Sequence, residues 1–228
     1  MSYLHQFVFG IYPYIAMTIF VLGCLIRFER EQYSWKSESS QLLYRGNLRL
    51  ANILFHVGIL GLFFGHLVGL LTPVAVWDTL GVSHSFKQLV AMIAGGIMGT
   101  MCLVGLVMLI CRRISSERLI ANTTWRDKLV LIWLTATLLL GLTTILVSSK
   151  HLDGHEMVLL MAWAQHIVTF RGGAASYIAD ASIVFKLHLF MGMSLFVIFP
   201  FTRLVHAFSG FATVSYLTRA WQLVRPRC

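Results

Sequence analysis

Residues 50–71 read LANILFHVGILGLFFGHLVGLL, a run of 22 residues without Asp, Glu, Lys or Arg, closed by Thr72-Pro73. As a helix it would rise about 33 Å, enough to cross the roughly 30 Å hydrocarbon core of a bilayer. Four other stretches have the same character: 7–26, 89–110, 129–147 and 183–201. The first stops at RFEREQYSWKSESS, the third at Arg112-Arg113, the fourth at Ser148-Ser149-Lys150 and the fifth before Arg203. A sixth apolar patch, 157–170, is interrupted by Gln165 and His166 and is too short to span. It is expected to lie in the membrane interface with Trp163 as its anchor. Of the 228 residues, 57% are hydrophobic and 12% charged, against about 45–50% and about 25% in soluble domains. The expected fold class is an all-α integral membrane protein. It is one domain over 1–228 with five transmembrane helices, and no repeat or linker divides it.

The charge is lopsided, with 18 Lys+Arg against 9 Asp+Glu. No long basic run exists, so nucleic acid is not an expected partner; membrane orientation explains the excess better. Arg27, Arg30, Lys36, Arg45 and Arg49 fall between the first two spans, and Arg112, Arg113, Arg118, Arg126 and Lys128 between the third and fourth. The tail adds Arg203, Arg219, Arg225 and Arg227, leaving only Lys87, Lys150, Arg171 and Lys186 for the other side. By the positive-inside rule the N-terminus faces outward and the C-terminus, with a tail at 207–228, faces the cytoplasm. Cys24, Cys102, Cys111 and Cys228 have neither paired nor metal-ligand spacing, so no structural disulfide is expected. The start, MSYLHQFVFG, lacks a basic n-region, so the first span is expected to be retained.

Nine histidines punctuate this chain. His5, His84, His151, His155 and His166 fall at span ends, in outer loops or in the short patch, where a solvated ring is the ordinary reading. His56 and His66 lie in the second span, and His188 and His206 in or at the end of the fifth. An ionisable group in hydrocarbon is costly and points to function. His188 and His206 are 18 residues apart, about five whole helical turns, so one helix would carry both on one face. His56 and His66 are about 15 Å apart along the axis and within about 80° of each other. Antiparallel pairing of the two spans then sets His56 beside His206 at the cytoplasmic level and His66 beside His188 at the outer level. The axial separation on the fifth span, about 27 Å, does not match the second. Helix tilt or a kink near Pro200 must absorb the difference.

Zinc would need more ligands at shorter spacing, and a proton relay would need Asp or Glu in the spans; neither is present. Bis-imidazole haem needs two neutral histidines on facing helices, which predicts two haems stacked across the bilayer. The alternative is four buried rings, each hydrogen bonded, at a desolvation cost for each. Gly58, Gly61, Gly65 and Gly69 thin one side of the second span. They serve close helix packing or relief for a flat macrocycle equally well.

The chain resembles the gamma subunit family of respiratory membrane-bound nitrate reductase, a di-haem cytochrome b. The likeness rests on FGIYPYIA (9–16), NILFHVGILGLFFGHLVGLLTP (52–73), the Lys87 region and AWAQHIVTFRGGAAS (162–176). It continues through KLHLFMGMSLFVIFPFTRLVH (186–206) and SYLTRAWQLVR (215–225), and departs mainly in the loop 74–85. The resemblance implies a multi-pass protein of the bacterial cytoplasmic membrane with a periplasmic N-terminus. It implies two haem b, the distal one on His66 and His188 and the proximal one on His56 and His206. A quinol, ubiquinol or menaquinol, would be oxidised beside the distal haem at Gly65, His66 and Lys87. Electrons would pass through distal and then proximal haem to an iron–sulfur subunit at the cytoplasmic face, contributing to the proton-motive force. Nitrate itself would be reduced on a molybdenum-containing partner subunit. Arg112 and Arg113 could pair with proximal-haem propionates or serve as ordinary topology charges. The tail from 208 to 228, where Tyr216 and Trp221 interleave with arginines, is the expected docking strip, with a surface amphipathic helix on anionic membrane lipid as the alternative. Two rival readings are a related di-haem subunit serving another iron–sulfur reductase, and a non-redox anchor or transporter.

Overall fold

The computed structural model describes residues 2–30 and 47–209, and among these it is helical without strands. Helix α1 spans Tyr3–Arg30 and contains one π-helical turn at Phe7–Ile11. It is followed by α2 (Leu48–Leu71), the short α3 (Val74–Thr79), α4 (His84–Ile114), the short α5 (Glu117–Ala121) and α6 (Trp125–Ser148). Then come α7 (His155–Val168) and α8 (Ile183–Ile198). Five segments are long and apolar enough to cross a membrane: α1, α2, α4, α6 and the Ile183–Phe201 segment that α8 opens. The expected tail at 207–228 lies outside the described residues beyond Ser209.

α4 and α6 outrun their apolar cores because polar residues build their N-terminal ends. Ser83 accepts a hydrogen bond from Phe86 N and starts α4 at His84, ahead of the apolar run. Thr124 and Asp127 form a reciprocal capping box that starts α6 at Trp125. Each cap satisfies backbone N–H groups that the helix cannot.

α2 packs most extensively along α4, and the bundle continues as an arc through α6 and α8 to α1. Glycines make the α2–α4 contact close. A Cβ at Gly58 would lie 2.5 Å from Cys102 N, and one at Gly61 would lie 2.6 Å from Met98 Sδ. Gly105 of α4 answers them against the backbone of Phe55 and Ala51. At Gly65 and Gly69 a Cβ would meet nothing within 4 Å. The stripe therefore divides: Gly58 and Gly61 serve packing, while Gly65 and Gly69 face open space. Among the described residues, α2 and α8 share no extensive contact across the arc.

Two expectations are corrected. Trp163 is not an interfacial anchor: it is buried with Phe9, Ala164, Ile167, Ala174, Ala175 and Ile178, and its Nε1 donates to Phe9 O at 2.9 Å. α7 folds down on α2, α4 and the 3₁₀ turn Ala174–Ile178, so protein rather than lipid covers this indole. The second concerns His206, which is not on the helix that carries His188. α8 ends at Ile198, and a 3₁₀ turn over Phe199–Phe201 contains Pro200. Thr202 is extended (φ −127°, ψ −178°), and a second 3₁₀ turn, Arg203–Phe208, bears His206. Proline lacks an N–H and fits only the first turn of a helix, which accounts for the break.

Candidate functional site

Two histidine pairs form between α2 and the last segment. The ring centroids of His56 and His206 are 6.2 Å apart, and those of His66 and His188 are 6.0 Å apart. These are the pairs that antiparallel reasoning anticipates. The break after Ile198 removes the mismatch in axial rise, because the 27 Å separation assumed one continuous helix.

Each of the four rings gives Nδ1–H to a backbone carbonyl. His56 donates to Asn52 O at 2.8 Å, His66 to Leu62 O at 2.7 Å, and His206 to Arg203 O. His188 donates to Thr137 O at 3.1 Å. A carbonyl can only accept, so each ring is held with its proton on Nδ1 and the Nε2 lone pair available. Among the described residues no hydrogen bond engages any of the four Nε2 atoms. His166 is the contrast, with Nδ1 on Ala162 O and Nε2 against the Tyr177 hydroxyl.

These features fit residues that would hold a haem iron between each pair of rings. With metal–nitrogen bonds of about 2.0–2.1 Å and about 1.2 Å from Nε2 to the ring centre, two rings sharing one iron would put their centroids about 6.4–6.6 Å apart. Both pairs come within about half an ångström of that spacing. The Nδ1–H···O=C bond is the usual outer-shell support of a metal-bound imidazole. Among the described residues no group of three or more His, Cys, Asp or Glu gathers to hold a metal by itself. Each pair is a two-ligand set, suited to a macrocycle that supplies the remaining donors.

Lys87 is buried in the first turn of α4. Its Nζ donates to Gly69 O at 3.1 Å and Met161 Sδ at 2.9 Å, and lies 4.5 Å from the centre of the Trp77 ring. It does not snorkel to the surface. Gly69 stands one turn from Gly65 and His66, so Lys87 and the His66–His188 pair share the same end of α2. Two buried or half-buried amides fix this end. Gln88 donates to Ser148 O and His151 O and accepts from Gly154 N. Gln165 donates to Leu70 O and Thr72 O. The sequence reading passed over both as site supports, along with Trp77 and Met161. Amides within apolar helices were the signal available.

At the opposite end, Arg113 lies 3.3 Å from Thr123 Oγ1 and 3.6 Å from Asp127 Oδ2, while Arg203 Nε reaches Asp127 Oδ1 at 2.7 Å. Asp127 is buried between the two guanidinium groups. Arg112 stands beside Arg113 in the last turn of α4.

The profile of the nitrate reductase gamma subunit family matches residues 5–227. The chain is 47% identical over 227 residues to the respiratory nitrate reductase 1 gamma chain of Escherichia coli (strain K12), covering 100% of both. It is 45% identical to the respiratory nitrate reductase 2 gamma chain of the same organism, over 99% of each chain. With the nitrate reductase gamma chain of Bacillus subtilis (strain 168) it shares 36% identity over 97% of this chain and 98% of that one.

Proposed function

Because the chain belongs to the nitrate reductase gamma subunit family, we propose that it is the quinol-oxidising membrane subunit of a respiratory nitrate reductase in a bacterial cytoplasmic membrane. The observation that carries this reading is the pair of histidine pairs, 6.0 and 6.2 Å apart, each ring fixed through Nδ1 with Nε2 left for metal. His66 and His188 would hold an outer haem b, and His56 and His206 an inner one. Bound there, haem supplies one-electron redox chemistry, while the protein supplies ligation, spacing and electrostatics.

The basic loops support a cytoplasmic His56–His206 end by the positive-inside rule. The N-terminus is then periplasmic, and the iron–sulfur and molybdenum-containing partner subunits dock at the basic end. Quinol binds at the other end, beside Gly65, His66 and Lys87. Lys87 has three donors; Gly69 O and Met161 Sδ take two, and a quinol oxygen would compete for the third with the Trp77 ring 4.5 Å away. Oxidation there releases protons on the outer side. Each electron drawn to the inner end moves charge across the bilayer, worth about 2.3 kcal/mol per 100 mV. A propionate role for Arg113 requires its guanidinium to be shared with Asp127; Arg112 stands beside it in the last turn of α4.

A reduced-minus-oxidised optical spectrum of the purified complex tests the reading, which requires two b-type haems per gamma chain. His66→Ala removes the outer haem and quinol oxidation and spares the inner haem. Retention of both signals in that variant overturns the ligand assignment.

A further inference from the structure

His188 differs from the other paired imidazoles in where its orienting carbonyl comes from. His56, His66 and His206 bond carbonyls three or four residues earlier in their own segments. His188 bonds Thr137 O, 51 residues away on α6. That helix contributes no histidine, yet it meets His188 along a defined face. Trp133, Thr137 and Gly141 recur at four-residue spacing and so lie one above another. Trp133 Nε1 donates to Met191 O of α8 at 3.0 Å. Thr137 is buried, and its hydroxyl bonds back to Trp133 O at 2.8 Å. At Gly141 a Cβ would lie 2.9 Å from Cε1 of His188 and 3.5 Å from both ring nitrogens. Any other side chain at 141 therefore forces the ring or its helix to shift.

We propose that this face of α6 is a positioning element for His188: Trp133 docks the two helices, Thr137 O fixes the Nδ1 proton, and Gly141 admits the ring. Through it the protein sets the potential of the outer haem separately from the inner one. The proposal rests on the di-haem reading. A carbonyl on Nδ1–H makes Nε2 a stronger donor to iron, and stronger donation favours the oxidised state. Loosening the bond raises the outer potential. Asp127, through which α6 reaches Arg203 and the inner pair, is 14 residues from Gly141, about four turns and about 21 Å along the helix. A change at 141 is thus local to the outer pair.

The test is a potentiometric titration of the whole complex in membranes, read by optical and low-temperature EPR signals of the two haems. Gly141→Ala raises the outer potential so that the oxidised-to-reduced ratio changes about tenfold, about 59 mV for a one-electron couple. It also shifts the outer low-spin EPR signal, with two haems per chain and the inner signal unmoved. Trp133→Phe keeps the ring volume, loses the bond to Met191 O and gives a smaller shift in the same direction. It decides the matter alone if Gly141→Ala does not accumulate. Gly96→Ala, where the new Cβ makes an ordinary 3.9 Å contact with Ile145 Cδ1, shifts neither haem. Outer signals identical to the unsubstituted complex in both α6 variants overturn the proposal while leaving the di-haem reading intact. An unsubstituted complex without two b-type signals overturns both.

Discussion

His166 spends both ring nitrogens on protein partners, Ala162 O and the Tyr177 hydroxyl, and needs nothing else. The four paired histidines spend one each, and that difference sets them apart from His166 as candidate ligands. Sequence position found the four because they interrupt apolar runs. It could not find the Nδ1 bond of His188, since Thr137 O comes from another helix. Lys87 poses the same problem: a lysine near a span end ordinarily snorkels, and only the fold shows that Gly69, Met161 and Trp77 enclose it. Lys87→Ala removes a charged donor of the kind worth about 1.5–3 kcal/mol. Quinol oxidation by the complex therefore falls between about tenfold and about a hundredfold, by the same energy scale. Both haem spectra stay unchanged. An undiminished quinol rate takes Lys87 out of the site.

At the scale of the element, the break after α8 shows what periodicity can and cannot carry. Counting 18 residues from His188 to His206 as five turns gives the correct partner for the wrong reason, because the helix stops at Ile198. Pro200 was the visible signal; the path of the chain beyond it depends on what receives the exposed carbonyls. Arg27 of α1 receives them, its Nη1 reaching Pro200 O and Thr202 O at 2.8 Å each. Gly23, one turn earlier, sits so close to Pro200 that a Cβ would lie 2.7 Å from its Cγ. From the other side Asp127 grips Arg203, whose carbonyl takes the His206 proton. α1 and α6 thus hold the His206 segment as α6 holds His188. Arg27→Ala withdraws a charged donor from two half-buried carbonyls, and each orphaned acceptor costs about 1–3 kcal/mol. The expected result is lower inner-haem occupancy, read as haem-to-protein ratio and inner-haem spectrum, with the outer haem retained. Full occupancy of both sites would show that the break is held without Arg27.

Across the whole molecule, the five spans were legible from composition alone, since length and apolarity are properties of the chain in one dimension. Their arrangement was not. Nothing in the periodicity says that α2 lies along α4 while standing apart from α8, because glycines at 58, 61 and 105 decide that by backbone approach. Orientation belongs to this scale too. The basic residues of the described ends collect where α2 begins, α4 ends and α6 begins, with Arg112, Arg113, Arg126 and Lys128 among them. Ser115 lies at that end and Ser149 at the other, both exposed. If the charge bias sets the topology, a membrane-impermeant thiol reagent separates the two. In a background whose four cysteines are alanine, Ser149→Cys is labelled in intact spheroplasts and Ser115→Cys only in inverted vesicles. The opposite pattern would put the quinol end in the cytoplasm. Quinol protons would then be released on the inner side, and the reaction would lose its contribution to the membrane potential.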